Sequence, residues 1–138
     1  MYPIQPKDKS VITVYGVYPK TPSLDALGLS GKQHGNRNAV DIAPRVGCEE
    51  LIFSVVAPFE GTIIDRGQAP ERGIFLTVKY AYGDAKALFY HLDRAYALLD
   101  QYVKKGQVIG IMGNTGKSTR KHTHFEIRDG LPIKEYLT

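Results

Sequence analysis

The sequence of 138 residues has a single cysteine, Cys48, and only four histidines. One cysteine excludes an internal disulfide framework and a cysteine-rich zinc site. No apolar run approaches the roughly 18 residues that a membrane-spanning helix requires, and the first residues lack the apolar segment of a secretory signal peptide. We therefore expect a domain without disulfides or membrane spans, in which the few histidines carry much of the information about function.

Composition and length are those of an ordinary globular protein, with 43% hydrophobic and 23% charged residues. We expect one domain over residues 1–138. Residues 1–32, rich in proline and glycine, are predicted to form an irregular leader with one strand, and residues 33–138 the functional core. The net charge of +4 suggests an anionic partner but is too small to indicate nucleic acid.

Short runs of β-branched and aromatic residues, separated by turn formers, dominate the chain. They predict strands at 11–15, 51–57, 61–64, 73–80, 87–92, 107–112 and 123–128. Only residues 93–102 suggest a helix, with Asp93 as its N-cap and apolar residues at a spacing of three. Many strands without alternating helices favour an all-β fold of the sandwich or barrel type.

The segment Gly-Asn-Thr-Gly-Lys-Ser-Thr at 113–119 looks at first like a phosphate-binding loop. That loop needs a glycine five residues before its Gly-Lys-Ser, where this chain has Ile111. It must also open a helix, whereas residues 120–128 alternate like a strand. We therefore interpret the segment as a glycine-rich hairpin turn between two strands, and an NTPase is excluded.

The sequence His122-Thr-His124 is the sharpest local feature. On a strand, alternate side chains share a face, so one face is predicted to carry His122, His124 and Glu126 and the other Thr123, Phe125 and Ile127. Two imidazoles on one face can reach the same ion or reacting group, although a pair of ordinary surface histidines gives the same pattern. Glu126 is placed to orient an imidazole or to form a surface pair.

The other two histidines stand apart in the sequence. His91 ends the predicted strand 87–92, and His34 lies in a polar loop that leads to Asp41. A catalytic zinc typically takes three His, Asp or Glu ligands and leaves one position for water. His34, Asp41 and one of His122 or His124 would supply such a set, and the remaining histidines would serve in proton transfer. A turn-capping Asp41 and a structural His91 are the simpler alternatives.

Five motifs in the same order resemble those of the lysostaphin-type (LytM-like) zinc metallopeptidases, which cut peptide bonds in bacterial peptidoglycan. The resemblance runs from about residue 34 to the end of the chain. The motifs are Val-Asp-Ile-Ala-Pro at 40–44, Val-Ala-Pro-Phe-Glu-Gly-Thr-Ile at 56–63, Phe-Tyr-His-Leu at 89–92, the glycine-rich segment at 103–116 and His-Thr-His-Phe-Glu at 122–126. Together they are far more specific than any one of them.

The resemblance implies an antiparallel β-sheet fold of the barrel-sandwich hybrid type (the duplicated hybrid motif). It also implies one Zn²⁺ held by His34, Asp41 and His124, with His91 and His122 as catalytic residues beside the attacking water. The implied function is a zinc-dependent endopeptidase that hydrolyses stem or cross-bridge peptides of peptidoglycan through a zinc-activated water. It would act at the bacterial envelope, as a virion or phage lysis component or as a domain of a larger exported protein.

The first zinc ligand departs from the family pattern. The family places a histidine four residues before the aspartate, where this chain has Arg37, and a guanidinium stays protonated and cannot ligate zinc. His34 lies seven residues before Asp41. We expect three extra residues to loop out so that His34 still reaches the metal, and Gly35, Asn36 and Asn38 are suited to such a turn. The runner-up is a non-catalytic cell-wall-binding or regulatory module with an impaired metal site.

A third hypothesis comes from a different class of protein. The glucose-specific IIA phosphocarriers resemble the same fold and use paired histidines, so His91 and His124 would be the corresponding pair. Asp41 argues against this function, because a carboxylate repels phosphate and suits Zn²⁺.

Overall fold

A computed structural model describes residues 1–15 and 37–138, and these ranges are built almost entirely of strands. The strands are β1 (Ile4–Gln5), β2 (Ile12–Tyr15), β3 (Ala39–Pro44), β4 (Ser54–Val56), β5 (Gly61–Ala69), β6 (Gly73–Tyr80), β7 (Lys86–Ala95), β8 (Tyr102–Val103), β9 (Val108–Met112) and β10 (Thr123–Arg128). Within the described ranges the one helical element is a 3-10 turn at Ile133–Tyr136. No helix in them has the length and apolar character needed to span a membrane.

All ten strands pair antiparallel in one curled sheet, which confirms the all-β prediction. The main path runs β1-β4-β9-β7-β10-β3-β2, and β5, β6 and β8 extend the sheet beside β7.

The inner face of this sheet holds the core, and the alternation predicted for β10 is confirmed. Thr123 and Phe125 are fully buried, Ile127 nearly so, and the ring of Phe125 stacks on Phe89 of β7 with 5.3 Å between centroids. Strand β10 thus turns one row of side chains into the core and leaves the other row for the outer face. On β10 that outer row carries the polar residues.

The first residues belong to the packed structure more than was predicted. We expected one strand in the irregular leader 1–32, but the described part of it contains two, and Ile4 of β1 is fully buried. The missed strand β1 is only two residues long and pairs with β4. A strand this short exists because of its tertiary partner, and no local pattern indicates it.

The predicted helix at 93–102 is wrong. Strand β7 continues to Ala95 and pairs there with β9, and the chain then turns through Asp100, whose φ is 67°. The apolar residues at the spacing of three are all about half exposed: Tyr96 49%, Leu99 54% and Tyr102 50%. Ala97 is buried instead, so the spacing of three did not mark a core-facing surface.

The hairpin predicted at 113–119 is also wrong, although the absence of a helix after it is confirmed. Strands β9 and β10 each pair with β7 and are not strand partners of each other, so they do not form a hairpin. Their one direct link among the described pairings is an isolated bridge between Gly113 and His122. The segment is a long loop between two strands that pair with successive parts of the same edge of β7.

Candidate active site

Three neighbouring strands place one residue each in a single row across the outer face of the sheet. His124 of β10 lies directly opposite Asp41 of β3 on one side and opposite Tyr90 of β7 on the other. Nδ1 of His124 is 3.4 Å from Oδ1 of Asp41, and its ring stacks on Tyr90 with 4.8 Å between centroids. Asp41 and His124 are only 2% and 4% exposed, so a carboxylate and an imidazole face each other out of water.

Hydrogen bonds along β10 fix the orientation of the His124 ring. Its Nε2 donates to Oε1 of Glu126 at 2.9 Å, and Nε of Arg128 donates to Oε2 of the same carboxylate at 2.7 Å. Burial opposes the charge on Glu126, but the contacts with His124 and Arg128 lower the pKa of Glu126 to about 2. Because this carboxylate only accepts hydrogen bonds, the proton of a neutral His124 sits on Nε2, and Nδ1 presents its lone pair to Asp41.

The pKa of His124 reflects two opposing effects. Burial lowers it, but hydrogen bonds to Asp41 and Glu126 outweigh burial and raise it above the ordinary value. Two carboxylates thus attract positive charge to this imidazole. The gap between Oδ1 of Asp41 and Nδ1 of His124 suits either a proton on the imidazole or a cation bound by both groups.

His91 lies at a discontinuity in β7, inside the strand and not at its end as predicted. On one edge, β7 pairs with β10 as far as Tyr90 and with β9 from Leu92 onwards. On the other edge the register with β6 shifts between Ile74 and Leu76. The φ of His91 is 67°, a left-handed conformation that costs a non-glycine residue roughly 1–2 kcal/mol. Bulges of this kind re-aim a side chain, and this one directs His91 to the same face as Tyr90.

The loop between β9 and β10 holds His91 in place. Nδ1 of His91 donates to the carbonyl of Thr115 at 2.8 Å. The Thr115 hydroxyl donates to the carbonyl of Leu92 and accepts from the amide of Ile74. Burial lowers the pKa of His91, so the neutral ring is favoured, with Nδ1 protonated and Nε2 as the basic nitrogen.

Two glycines permit the close approach of this loop. A Cβ on Gly116 would lie 2.3 Å from the amide nitrogen of Gly73, and one on Gly73 would lie 2.5 Å from Thr115. Both glycines have a positive φ, 76° at Gly116 and 65° at Gly73. The β5–β6 turn and the loop therefore pack backbone against backbone, which sets the position of the Thr115 carbonyl.

His122 completes the cluster. Its Nδ1 donates to the carbonyl of Arg120 at 2.7 Å, and its Nε2 lies 3.9 Å from Oδ1 of Asp41. Its ring centroid is 4.7 Å from that of His91. With the carbonyl contact holding the Nδ1 proton, Nε2 of His122 is the nitrogen that faces the carboxylate.

The described residues thus bring together four of the five predicted site residues: Asp41, His91, His122 and His124. The fifth, His34, lies outside the described residues. Within the described residues no group of three His, Cys, Asp or Glu side chains is arranged to hold a metal ion. The donors that are present, a buried carboxylate oxygen beside an imidazole lone pair, are of the types that Zn²⁺ takes in proteins.

A cleft with a volume of about 770 Å³ opens above His91 and His124. Tyr90 lines it, as do two arginines that sequence reasoning missed, Arg72 and Arg128. Arg128 belongs to the same alternating row of β10 as His124 and Glu126, so the strand pattern carried a signal for it. Arg72 precedes β6 in a turn, and no sequence pattern indicated it.

Comparison with known proteins shows which protein family and which curated proteins the chain resembles. Residues 35–134 match Peptidase family M23. The DD-carboxypeptidase/endopeptidase Mpg of Neisseria meningitidis serogroup B is 35% identical over 80 residues, which cover 57% of this chain and 18% of Mpg. The peptidoglycan DD-endopeptidase ShyB of Vibrio cholerae is 31% identical over 90 residues, 65% of this chain and 20% of ShyB. The chain therefore spans about a fifth of the length of these curated relatives.

A solved structure shows the same fold. The catalytic domain of the antimicrobial peptidase lysostaphin from Staphylococcus simulans superposes with a TM-score of 0.60 at 27% identity. The match covers 88% of this chain and 82% of that domain. The likeness therefore extends over most of both chains.

Proposed function

The chain belongs to peptidase family M23, and from this we propose that it is a zinc-dependent endopeptidase that hydrolyses peptide bonds in bacterial peptidoglycan. Relatives that are named as endopeptidases support the reaction class. The observation that carries the proposal is the contact of buried Asp41 with Nδ1 of His124, with His91 and His122 in the same cluster. The substrate would bind in the cleft above His91 and His124.

We assign the metal to Asp41 and His124, together with His34. Oδ1 of Asp41 and Nδ1 of His124 are the donor atoms, and Glu126 holds the His124 ring so that Nδ1 is the unprotonated nitrogen. When bound, Zn²⁺ would polarise the scissile carbonyl and lower the pKa of the attacking water towards about 7. Arg37 has no role as a ligand in this assignment.

His91 and His122 supply the proton transfers. Each has its Nδ1 proton engaged by a backbone carbonyl, Thr115 for His91 and Arg120 for His122, so that Nε2 is the basic nitrogen in both rings. A neutral imidazole accepts a proton from the attacking water and returns one to the leaving amine at neutral pH. When protonated, the same Nε2–H donates to the oxyanion that develops on the scissile carbonyl.

The test is incubation of the zinc-loaded protein with purified peptidoglycan, followed by mass analysis of the released fragments. We expect peptide-bond cleavage that a chelator abolishes and added Zn²⁺ restores. His91→Ala should lower the rate about 100- to 10,000-fold, the usual contribution of a general acid or base. Arg94→Gln, an exposed change elsewhere on β7, is the control. If the zinc-loaded protein releases no fragments, the non-catalytic module is the better description.

A further inference from the structure

The cleft above the histidines carries an excess of positive charge. Among the described residues its lining includes four cationic side chains and one carboxylate: Arg37, Arg72, Lys117, Arg128 and Glu71. Hydrolysis of a peptide bond by a metal and two histidines does not require these cations. They bear on which substrates the cleft binds.

Arg72 is held over an aromatic surface beside the site. Its guanidinium carbon lies 3.8 Å from the centroid of the Phe75 ring and 5.8 Å from that of Tyr90. Its nearest carboxylate among the described residues, Asp65, is 3.9 Å away and the two side chains are 40% and 55% exposed, a contact that contributes little in water. Stacking thus fixes the plane of the guanidinium and leaves its edge for another acceptor.

Arg128, on β10, lines the cleft together with Tyr90. Its Nε donates to Glu126, while its two terminal nitrogens make no hydrogen bond to any described residue and its side chain is 55% exposed. An arginine has five N–H donors in a fixed plane. Glu126 therefore orients the group through one donor, and the outer edge still presents two nitrogens to the cleft.

The two arginines border the path that an extended substrate would follow. A second hollow of about 380 Å³, lined by Thr77 and Leu88 on the outer face of the sheet, adjoins the cleft, and Arg72, Tyr90 and Arg128 line both. Tyr90 stacks directly on His124. A peptide that runs from the histidines into the second hollow crosses Tyr90 and passes both arginines, since both of them line the cleft and the hollow.

We propose that Arg72 and Arg128 form a carboxylate-binding subsite at Tyr90, which selects peptides with a free carboxylate next to the scissile bond. Paired N–H donors match the two oxygens of a carboxylate and form strong, charge-assisted hydrogen bonds. The carboxylate belongs either to an acidic side chain or to a peptide C-terminus. This inference rests on the proposed peptidase function, because it names the substrates of the same cleft.

The experiment uses soluble cross-linked peptidoglycan peptides in three synthetic forms: all carboxylates free, only side-chain carboxylates amidated, and both side-chain and C-terminal carboxylates amidated. Binding and cleavage by the zinc-loaded protein are both measured. Loss of one charge-assisted contact should lower kcat/KM and affinity about tenfold or more. A loss in the second form identifies a side-chain carboxylate, and a loss confined to the third form identifies the C-terminus.

Arg72→Gln is the main variant, because its contacts with Asp65, Phe75 and Tyr90 are separate from the metal-binding side chains. This variant should bind and cleave the free-carboxylate form as weakly as the unmodified protein binds and cleaves the amidated form that shows the loss. Its binding and cleavage of that amidated form should change little. Arg128→Gln should do the same, with zinc affinity measured in parallel because Arg128 touches Glu126. Arg94→Gln removes a charge from the same sheet, outside the cleft, and should leave the preference intact.

Two results would overturn the subsite: equal binding of all three forms by the unmodified protein, or an equal loss on every form in the arginine variants. Cleavage of all forms at one rate would refute the subsite and leave the peptidase standing. Binding that depends on the carboxylate and on Arg72, without cleavage of any form, would support the subsite and refute the peptidase.

Discussion

Asp41 and His124 are directly opposed residues of β3 and β10, with 3.4 Å between Oδ1 and Nδ1. The register of the sheet therefore sets their distance. A shift of one residue would turn the whole row of either strand to the opposite face, and the buried Phe125 beside His124 makes such a shift costly. The core of the sheet thus fixes the geometry of the proposed metal site.

The proposed third zinc ligand is tested by His34→Ala. We expect near-stoichiometric Zn²⁺ in the purified protein, and a large loss of zinc in this variant because three protein ligands become two. Metal analysis after gel filtration measures the loss. Arg37→Ala, at the position four residues before Asp41, should retain zinc. A zinc-free native protein, or a variant with full zinc occupancy, would contradict the assignment.

Glu126→Gln tests the orientation of His124. The carboxylate accepts from Nε2 of His124 and from Arg128, and partners of this kind typically contribute about 10- to 100-fold to metal affinity. We expect zinc affinity to fall by that amount, as measured by competition with a chelator of known affinity. Glu135→Gln, an exposed change near the end of the chain, should have no effect. Equal affinities of the two variants would refute this role.

Gly116→Ala tests the close packing that positions His91. The new methyl group would meet the backbone of Gly73 at 2.3 Å and displace the carbonyl of Thr115. Gly47→Ala is the matched control, since its φ is also positive but nothing lies within 4 Å. We expect Gly116→Ala to lose about 1–3 kcal/mol more stability than the control, as measured by urea unfolding, and to lose peptidase activity. Equal losses would show that the packing has no role beyond backbone strain.

Tyr2→Phe tests how firmly the first residues belong to the fold. Burial raises the pKa of Tyr2 to about 12 from an ordinary 10. A raised pKa means that the folded state favours the protonated phenol, so the associated stability is present below pH 10 and is lost as the pH rises to about 12. The thermal unfolding temperature of the native protein should fall across that pH range more than the unfolding temperature of Tyr2→Phe. Tyr96→Phe, at an exposed site, should follow the native protein, and identical curves for all three would refute burial of Tyr2.

The candidate site was predictable where strand alternation decides which face a side chain occupies. The pattern of 122–128 placed His124 and Glu126 on one face and Phe125 on the other, and both placements are confirmed. His91 shows the limit of that rule. Strict alternation would put it on the core face with Phe89, whereas the bulge turns it outward. That bulge depends on partners from two other strands, which local sequence does not encode.

In the fold as well, local sequence patterns predicted some elements, while pairing between distant strands decided others. Strand β6 was predicted to the residue because a continuous apolar, β-branched run has glycine at its start. Strand β5 was predicted only to residue 64 but runs to Ala69, since its polar second half is stabilised by pairing with β6. The predicted helix failed for a related reason, because the spacing of Tyr96, Leu99 and Tyr102 belongs to exposed residues. Pairing between distant segments overrode local preference in both places.

Both outer members of the main path of the sheet come from the first fifteen residues, since β1 covers β4 and β2 covers β3. An uncovered strand presents unpaired amides and carbonyls to other chains. Proteolytic removal of residues 1–15 would therefore leave one edge of β4 and one edge of β3 unpaired, and β3 is the strand that carries Asp41. Residues 1–15 therefore cover both strands against pairing with other chains, and a variant that lacks them should aggregate more readily than the full chain, as measured by light scattering.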